Sequence, residues 1–417
     1  MGQEIFAAYE SEVRSYCRSW PVIFDRAKGS TLWDTDGNAY LDFFAGAGAL
    51  NYGHNHPIVK AALNEYLAED RIIHSLDMFT VAKEEFLRRF HDVILAPNGL
   101  EYKVQFPGPT GTNAVEAALK IARKVTGRET IVSFTNAFHG MTLGALSVTG
   151  NSMKRGGAGV PLVHTVPMPY DNYLDGSTPD FMWFERLLTD SGSGLEDPAA
   201  VIVETVQGEG GVNVARGQWL RALEELCRAH GILLVIDDVQ MGCGRTGEFF
   251  SFTEYGLDPD VVCVSKSISG SGLPMALTLI KPEHDEWAPG EHNGTFRGNN
   301  PAFVTGTAAL DLWTDDTLQR TTAAHATQMC TALSAISDDN PALKAEVRGR
   351  GAIWGLDVGS GDLAAKICRQ AFSNELLVET AGPDGNVVKL LPALTIETDE
   401  LEAGLDRLTD AVQRVCG

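Results

Sequence analysis

The sequence predicts an α/β protein with a large domain on a mainly parallel central sheet and a smaller α/β domain beside it. From residue 100 to about 310, short runs rich in Val, Ile and Leu alternate with amphipathic helical patterns, the pattern of a parallel sheet covered on both faces. Those runs end in polar residues, Glu204, Asp237 and Lys266, and such sheets bind ligands beyond the carboxyl ends of their strands. A length of 417 residues exceeds one small core and suits two domains. The expected division is 1–57, an N-terminal segment and hairpin belonging to the smaller domain; 58–310, the large domain; and 311–417, the C-terminal small domain.

Taken in order, a polar helix leads to a loop at Trp20-Pro21. Residues 29–42 alternate apolar and polar around Asp36-Gly37-Asn38, which predicts a β-hairpin. The Gly-, Asn- and His-rich stretch 45–57 reads as a loop, and helical patterns follow at about 58–69 and 80–95. Strands are expected at 130–134, 200–204 and 232–237 and in the run ending at Lys266, with a helix over about 217–230. Beyond 310, Ile353 to Val358 and Val387 to Pro392 supply strands of the smaller unit, with which the N-terminal hairpin could pair.

Composition is that of a globular chain, 44% hydrophobic and 21% charged, and no apolar run is long enough to span a bilayer. The start lacks a basic region before an apolar one, so no signal peptide is expected, and Phe6 stands where a myristoylation signal needs Ser or Thr. The 7 cysteines are scattered and form no Cys-x-x-Cys, which argues against a disulfide framework or zinc knuckle and for a reducing cytoplasm. The net charge of −22 argues against nucleic acid and anionic membranes as partners. It does not restrict the substrate, because a basic pocket can sit in an acidic protein.

Four stretches carry chemistry. In Val261-Val262-Cys263-Val264-Ser265-Lys266 an apolar strand stops at a lysine. At the floor of a cleft that lysine could lose its proton and attack carbonyls; at the surface it would only be solvated. Gly108 to Glu116 opens a helix whose apolar face runs Ala114, Ala117, Ala118, Ile121, Ala122 and Val125, with Asn113 and Glu116 at capping-box spacing. Its start suits a phosphate dianion, or simply caps the helix. Asp237 ends an apolar strand and needs a partner: a protonated pyridine nitrogen, an arginine, or the backbone of a loop that it caps. Gly242 to Gly247 spells Gly-x-Gly-x-x-Gly, but the aromatic run Glu248 to Phe252 follows where a dinucleotide-binding motif opens a helix, so that reading is rejected. Phe138-His139, just after a strand, could face a flat cofactor or pack in the core. Gly294 to Asn300 is a polar glycine loop, and His54 and His56 lack a third ligand at metal spacing, so no metal is expected.

Together these stretches resemble the class III (ω-) aminotransferases, pyridoxal 5′-phosphate enzymes of fold type I, over essentially the whole chain. Val206-Gln207-Gly208-Glu209-Gly210-Gly211, Asp237 through Gly247, and Ser265-Lys266 carry the likeness. The resemblance implies that Lys266 holds the cofactor covalently and shuttles protons. Asp237 would bind the pyridinium nitrogen and Gln240 the ring hydroxyl. Phe138 would stack on the ring, with His139 also cofactor-binding, and Gly111 and Thr112 would hold the phosphate. Thr295 would reach the cofactor phosphate of a neighbouring subunit, so a homodimer or a higher assembly is expected. Glu209, Lys389, Asn51 and Tyr52 form the expected substrate-binding set.

Residues 45–57, Phe106 to Ala118 and Gly290 to Gly298 are similar to the branch of the family that aminates L-aspartate 4-semialdehyde with L-glutamate in ectoine biosynthesis. A paralogue serving antibiotic or siderophore synthesis is the alternative. The chain departs from the wider family in three places. Asp238 replaces Glu, Met141 stands where many members have a carboxylate-binding arginine, and Lys389 stands where many have the arginine that alternates between the glutamate at Glu209 and the donor's carboxylate.

Overall fold

The computed structural model describes residues 3–174 and 181–417; Met1 and Gly2, where the N-terminal signal reading begins, lie outside the described residues. The central sheet has seven strands in the order Lys103–Gln105, Leu277–Ile280, Val261–Val264, Leu233–Asp237, Ala200–Val203, Ile131–Phe134, Thr165–Met168. Five neighbouring strands, from Val261–Val264 to Thr165–Met168, run parallel. Leu277–Ile280 is antiparallel to both of its neighbours.

Successive strand residues point to opposite faces. Leu234, Ile236, Val262 and Val264 therefore enter one buried cluster, while Leu233, Val235, Val261 and Cys263 enter another. This double burial is why the strands read as unbroken apolar runs. Helix Gly111–Thr126 lays Ala114, Ala118, Ile121 and Ala122 on the second cluster, and Gly217–His230 lays Trp219, Leu220 and Leu223 on the first. Each fully buried aliphatic side chain contributes about 1.5–3 kcal/mol.

The smaller unit carries an antiparallel sheet ordered Glu346–Arg350, Ile353–Asp357, Val387–Leu390, Glu379–Ala381. Helices Thr317–Asp339, Gly361–Ser373 and Thr398–Cys416 pack beside it. The N-terminal strands Thr31–Asp34 and Ala39–Asp42 form the expected hairpin, and Ala39–Asp42 pairs in parallel with Leu376–Leu377. A further strand, Phe24–Lys28, precedes the hairpin where none was expected, and two short helices, Gln3–Tyr9 and Tyr16–Ser19, replace one. Within the stretch read as a loop, Ala45–Gly48 forms a tight turn with positive φ at Ala45, Gly46 and Ala47. After Gly247 the chain runs through turns, not a helix.

The two units are joined by a buried arginine. Arg245 is fully buried and donates to the carbonyls of Ala352 (2.9 Å) and Pro392 (2.5 Å) and to Asn51 Oδ1 (2.7 Å). Burial pushes its pKa down to about 9. Asn51 in turn donates to the Cys243 carbonyl (2.9 Å), and the neighbouring Tyr52 hydroxyl accepts from Trp313 Nε1 (2.9 Å). Asn51 and Tyr52, expected to bind substrate, are packed into this junction with their side-chain polar atoms engaged by Arg245, the Cys243 carbonyl and Trp313. Asn51→Ala should destabilise the protein by about 1–3 kcal/mol, because it strips a buried guanidinium and a carbonyl of a partner. Denaturant unfolding should show that loss with little change in substrate KM; a raised KM with unchanged stability would contradict it.

Candidate active site

The lysine at the end of Val261–Val264 is turned inward by its own backbone. Lys266 has a φ of 54°, a left-handed conformation that costs a non-glycine residue about 1–2 kcal/mol. The strand stops there and the short helical turn Lys266–Ser269 begins. Ser265 Oγ donates to the Met275 carbonyl (2.8 Å) and Ser267 Oγ to the Gly48 carbonyl (2.8 Å). These bonds fix the residues on both sides of the lysine. Lys266 Nζ donates to the Ala47 carbonyl (2.7 Å), a neutral partner. Burial lowers its pKa from 10.5 to about 8, with Glu209 opposing the shift and Lys389 adding to it.

Around it lies a cavity of about 380 Å³ bordered by Lys266, Asp237, Gln240, Gly111, Thr112, Phe138, His139 and Glu209. Thus eight of the twelve expected site residues come together from three strand ends, one helix start and the loop carrying Glu209. Asp237 Oδ2 meets His139 Nδ1 at 2.7 Å, and Oδ1 accepts from Val239 N (3.1 Å). His139 thereby serves to orient the carboxylate. The Phe138 ring forms part of the wall, its backbone N–H donating to Glu204 Oε2 (3.0 Å). Gln240 Nε2 bridges the Ala47 carbonyl (2.9 Å) and Glu209 Oε1 (3.0 Å).

The helix Gly111–Thr126 points its N-terminus at this cavity. The capping pair differs from the expected one. Thr110 is the N-cap, and Asn113 Oδ1 accepts from its backbone N–H (3.2 Å). Glu116, one turn later, instead accepts from Ala145 N (3.1 Å). A Cβ on Gly111 would lie 2.7 Å from Val239, so only glycine permits this approach of helix to strand end.

A pyridine ring carrying a phosphate fits this set. The helix N-terminus offers free N–H groups and a positive dipole end to a dianion. Asp237 is a buried carboxylate for a protonated ring nitrogen, Phe138 is a stacking face, and Lys266 is a near-neutral amine for the aldehyde.

At the cavity's edge, Glu209 Oε1 lies 2.6 Å from Lys389 Nζ. Burial alone would raise the Glu209 pKa, but Lys389, Lys266 and the hydrogen bonds from Lys389 and Gln240 bring it to about 2. Lys389 itself is fully buried behind Glu209 and does not border the cavity. Thr295 also stands outside it, exposed at the start of the turn Thr295–Arg297, its carbonyl accepting from His74 Nε2 (2.7 Å).

Two carboxylates at the site carried no assigned role in the sequence reading. Glu204 is buried in the cavity wall, and burial and the nearby Asp237 push its pKa well above the usual range. Glu379 lies 3.0 Å from Lys389. Its sequence signal was its place ten residues before Lys389 across the Gly382-Pro383-Asp384-Gly385 turn, which puts the two opposite each other in a hairpin. His54, once the metal reading is set aside, pairs with Asp42 (2.7 Å). Among the described residues no group of His, Cys, Asp and Glu could hold a metal ion.

With the Lys266 pKa near 8, the neutral amine fraction grows as pH rises through that value. Capture of pyridoxal 5′-phosphate by the apoprotein, followed by absorbance, should accelerate from pH 7 and level off above about 8. An inflection at the ordinary lysine value would contradict the lowered pKa.

Residues 14–412 match the aminotransferase class-III family. The diaminobutyrate–2-oxoglutarate transaminase of Streptomyces avermitilis is 64% identical over 411 residues, covering 98% of this chain and 97% of its own. The enzyme of the same name from Oceanobacillus iheyensis is 56% identical, covering 98% and 96%. Among solved structures, the ornithine aminotransferase of Toxoplasma gondii superposes with a TM-score of 0.85 at 27% identity, covering 99% of this chain and 94% of its own. An amine transaminase from an uncultivated Pseudomonas species, solved in its PLP-bound form, gives 0.85 at 27%, covering 98% of each chain. With a strand-end lysine, a buried aspartate and a helix start bordering one cavity, in a chain matched nearly end to end, this protein is a member of the class III aminotransferases.

Proposed function

We propose that the protein moves the amino group of L-glutamate to L-aspartate 4-semialdehyde, giving 2-oxoglutarate and L-2,4-diaminobutyrate, in two half-reactions. The observation that carries this reading is the Glu209–Lys389 pair at 2.6 Å beside the lysine cavity. Such a pair would supply a removable counter-charge that meets the donor's carboxylate and does not repel an uncharged aldehyde. The relatives named diaminobutyrate–2-oxoglutarate transaminase support the choice of substrates. Ectoine biosynthesis is the pathway this product would feed.

The cofactor is pyridoxal 5′-phosphate, which supplies the electron sink for the carbon losing its proton. Asp237, oriented by His139, keeps the ring nitrogen protonated. Lys266 Nζ, neutral near pH 8, takes the proton from the glutamate carbon bearing the amino group. Lys389 meets that donor's carboxylate when Glu209 turns aside. Lysine carries the charge without the two-pronged geometry of arginine, which suits a site that must release the contact each cycle.

The active unit is a homodimer in this reading. Ile72, Ile73, Met78, Phe79, Met141 and Phe296 are all exposed, with Phe79 at 101%. His74 packs against Phe296, which joins the 72–79 stretch to the turn Thr295–Arg297. An apolar strip beside a cofactor site, with Thr295 at its edge, suits a second copy that completes the phosphate contacts. A cytoplasmic location fits cysteines that are all unpaired in the structure.

A panel of amino donors and acceptors with product identification tests the reading. L-glutamate with L-aspartate 4-semialdehyde should be the fastest pair, Lys266→Ala should abolish turnover, and Lys389→Ala should impair the glutamate half-reaction. Turnover without any keto acid or aldehyde acceptor would instead mark a racemase or aminomutase. An untouched glutamate half-reaction in Lys389→Ala, with Glu209→Ala impaired, would refute the alternating pair.

A further inference from the structure

Lys389 has not one carboxylate partner but two. It lies on the inner strand Val387–Leu390, fully buried, with Ile353–Asp357 on one side and Glu379–Ala381 on the other. Glu379 is directly opposite it in the ladder, and its Oε1 is 3.0 Å from Lys389 Nζ. The two carboxylates differ in how they are held. Glu379 belongs to the same sheet as the lysine, and its side chain is 9% exposed. Glu209 belongs to a large-domain loop, and its side chain is 21% exposed. The Glu209 carbonyl is tied to Gly382 N (3.0 Å), so its backbone is anchored, while its carboxylate is held only by the side chains of Lys389 (2.6 Å) and Gln240 (3.0 Å).

Glu209 also borders two cavities, the one holding Lys266 and a second of about 350 Å³ lined by Tyr16, Arg18, Trp20, Cys368 and Glu379. A turned-aside Glu209 therefore has room to go, whereas Lys389 is enclosed by its own sheet.

A buried ammonium left without a partner costs several kcal/mol. Were Glu209 the sole partner, its departure would leave Lys389 bare until substrate arrived, or would let the long flexible lysine swing into the cavity beside Lys266. Neither fits a lysine already gripped from its own sheet. We propose that Glu379 is a positioning residue that keeps Lys389 in place while Glu209 leaves, so that the donor's carboxylate meets a fixed ammonium and Glu209 is the moving part. The proposal rests on the reading that Lys389 receives the donor's carboxylate, and it assigns the specificity of the donor half-reaction in part to a residue that touches no substrate.

Two measurements on the holoenzyme test it. In a crystal structure of Glu209→Ala, Lys389 Nζ should remain within hydrogen-bond distance of Glu379, about 3.2 Å or less; a lysine swung into the main cavity, leaving Glu379 bare, overturns the proposal. In half-reaction kinetics, Glu379→Ala should raise the half-saturating L-glutamate concentration about tenfold, with the limiting rate and the half-saturating aldehyde concentration each within about threefold of wild type. Glu379→Gln, which keeps an acceptor on Lys389, should recover most of that loss. Equal weakening toward both substrates, or none toward either, overturns the proposal. Should the wild-type enzyme refuse L-glutamate, the functional reading fails, and the Glu209→Ala structure still decides the role of Glu379.

Discussion

A lysine brought into the protein interior opposite a neutral carbonyl is the constraint that shapes the rest of the site. Desolvation disfavours its charged form and brings Lys266 to about 8, which is what turns a surface-type side chain into a nucleophile. The fold supplies the burial through five parallel strands that end at one level, with Leu277–Ile280 folding back beside Lys266. The left-handed backbone at Lys266 is the local cost, and the bonds made by Ser265 and Ser267 hold it there. Ala47, in the turn 45–48, supplies one carbonyl to both Lys266 and Gln240, so the N-terminal segment closes the site that the sheet builds.

The charges around this lysine are sorted by burial and by partner. Asp237 is tethered by His139 and borders the cavity, and Glu204, also in its wall, is driven toward its protonated form by burial and by Asp237. Asp238, one residue on, faces away from the cavity, and burial lifts its pKa to about 7 despite hydrogen bonds from Ser251. Glu209 stays ionised because two lysines outweigh its burial. In a chain of net charge −22, the two lysines of the site are each set among carboxylates, Lys389 between Glu209 and Glu379 and Lys266 in one cavity with Asp237, Glu204 and Glu209.

Much of this was legible in the sequence for a definite reason. Strands buried on both faces read as continuous Val, Ile and Leu runs, so those at 131–134, 200–203, 233–237 and 261–264 were plain, and so were the polar residues that end them. Phe24–Lys28 was not, because it is an edge strand with mostly exposed polar residues. The direction of Leu277–Ile280 is set by a connection across the site and has no local signature. The capping pair was displaced by one turn because Thr110, Asn113 and Glu116 repeat at the same spacing, and only the packing of Glu116 against Ala145 decides between them. The junction contacts of Asn51 and Tyr52 were not legible, because a polar residue near a site motif reads alike whether it faces substrate or a buried arginine. Glu379 was overlooked because its meaning lies in its register with Lys389 across the turn at 382–385, which shows only once the two strands are paired.

The account stands on Lys266 being the group to which the cofactor attaches. The most direct measurement is to load the protein with pyridoxal 5′-phosphate, reduce it with borohydride, digest it, and locate the added mass by peptide mass spectrometry. The account predicts one stoichiometric label, on the peptide that contains Lys266, and none there in the Lys266→Ala protein. A label on Lys389 or another lysine, with Lys266 unmodified, would contradict it.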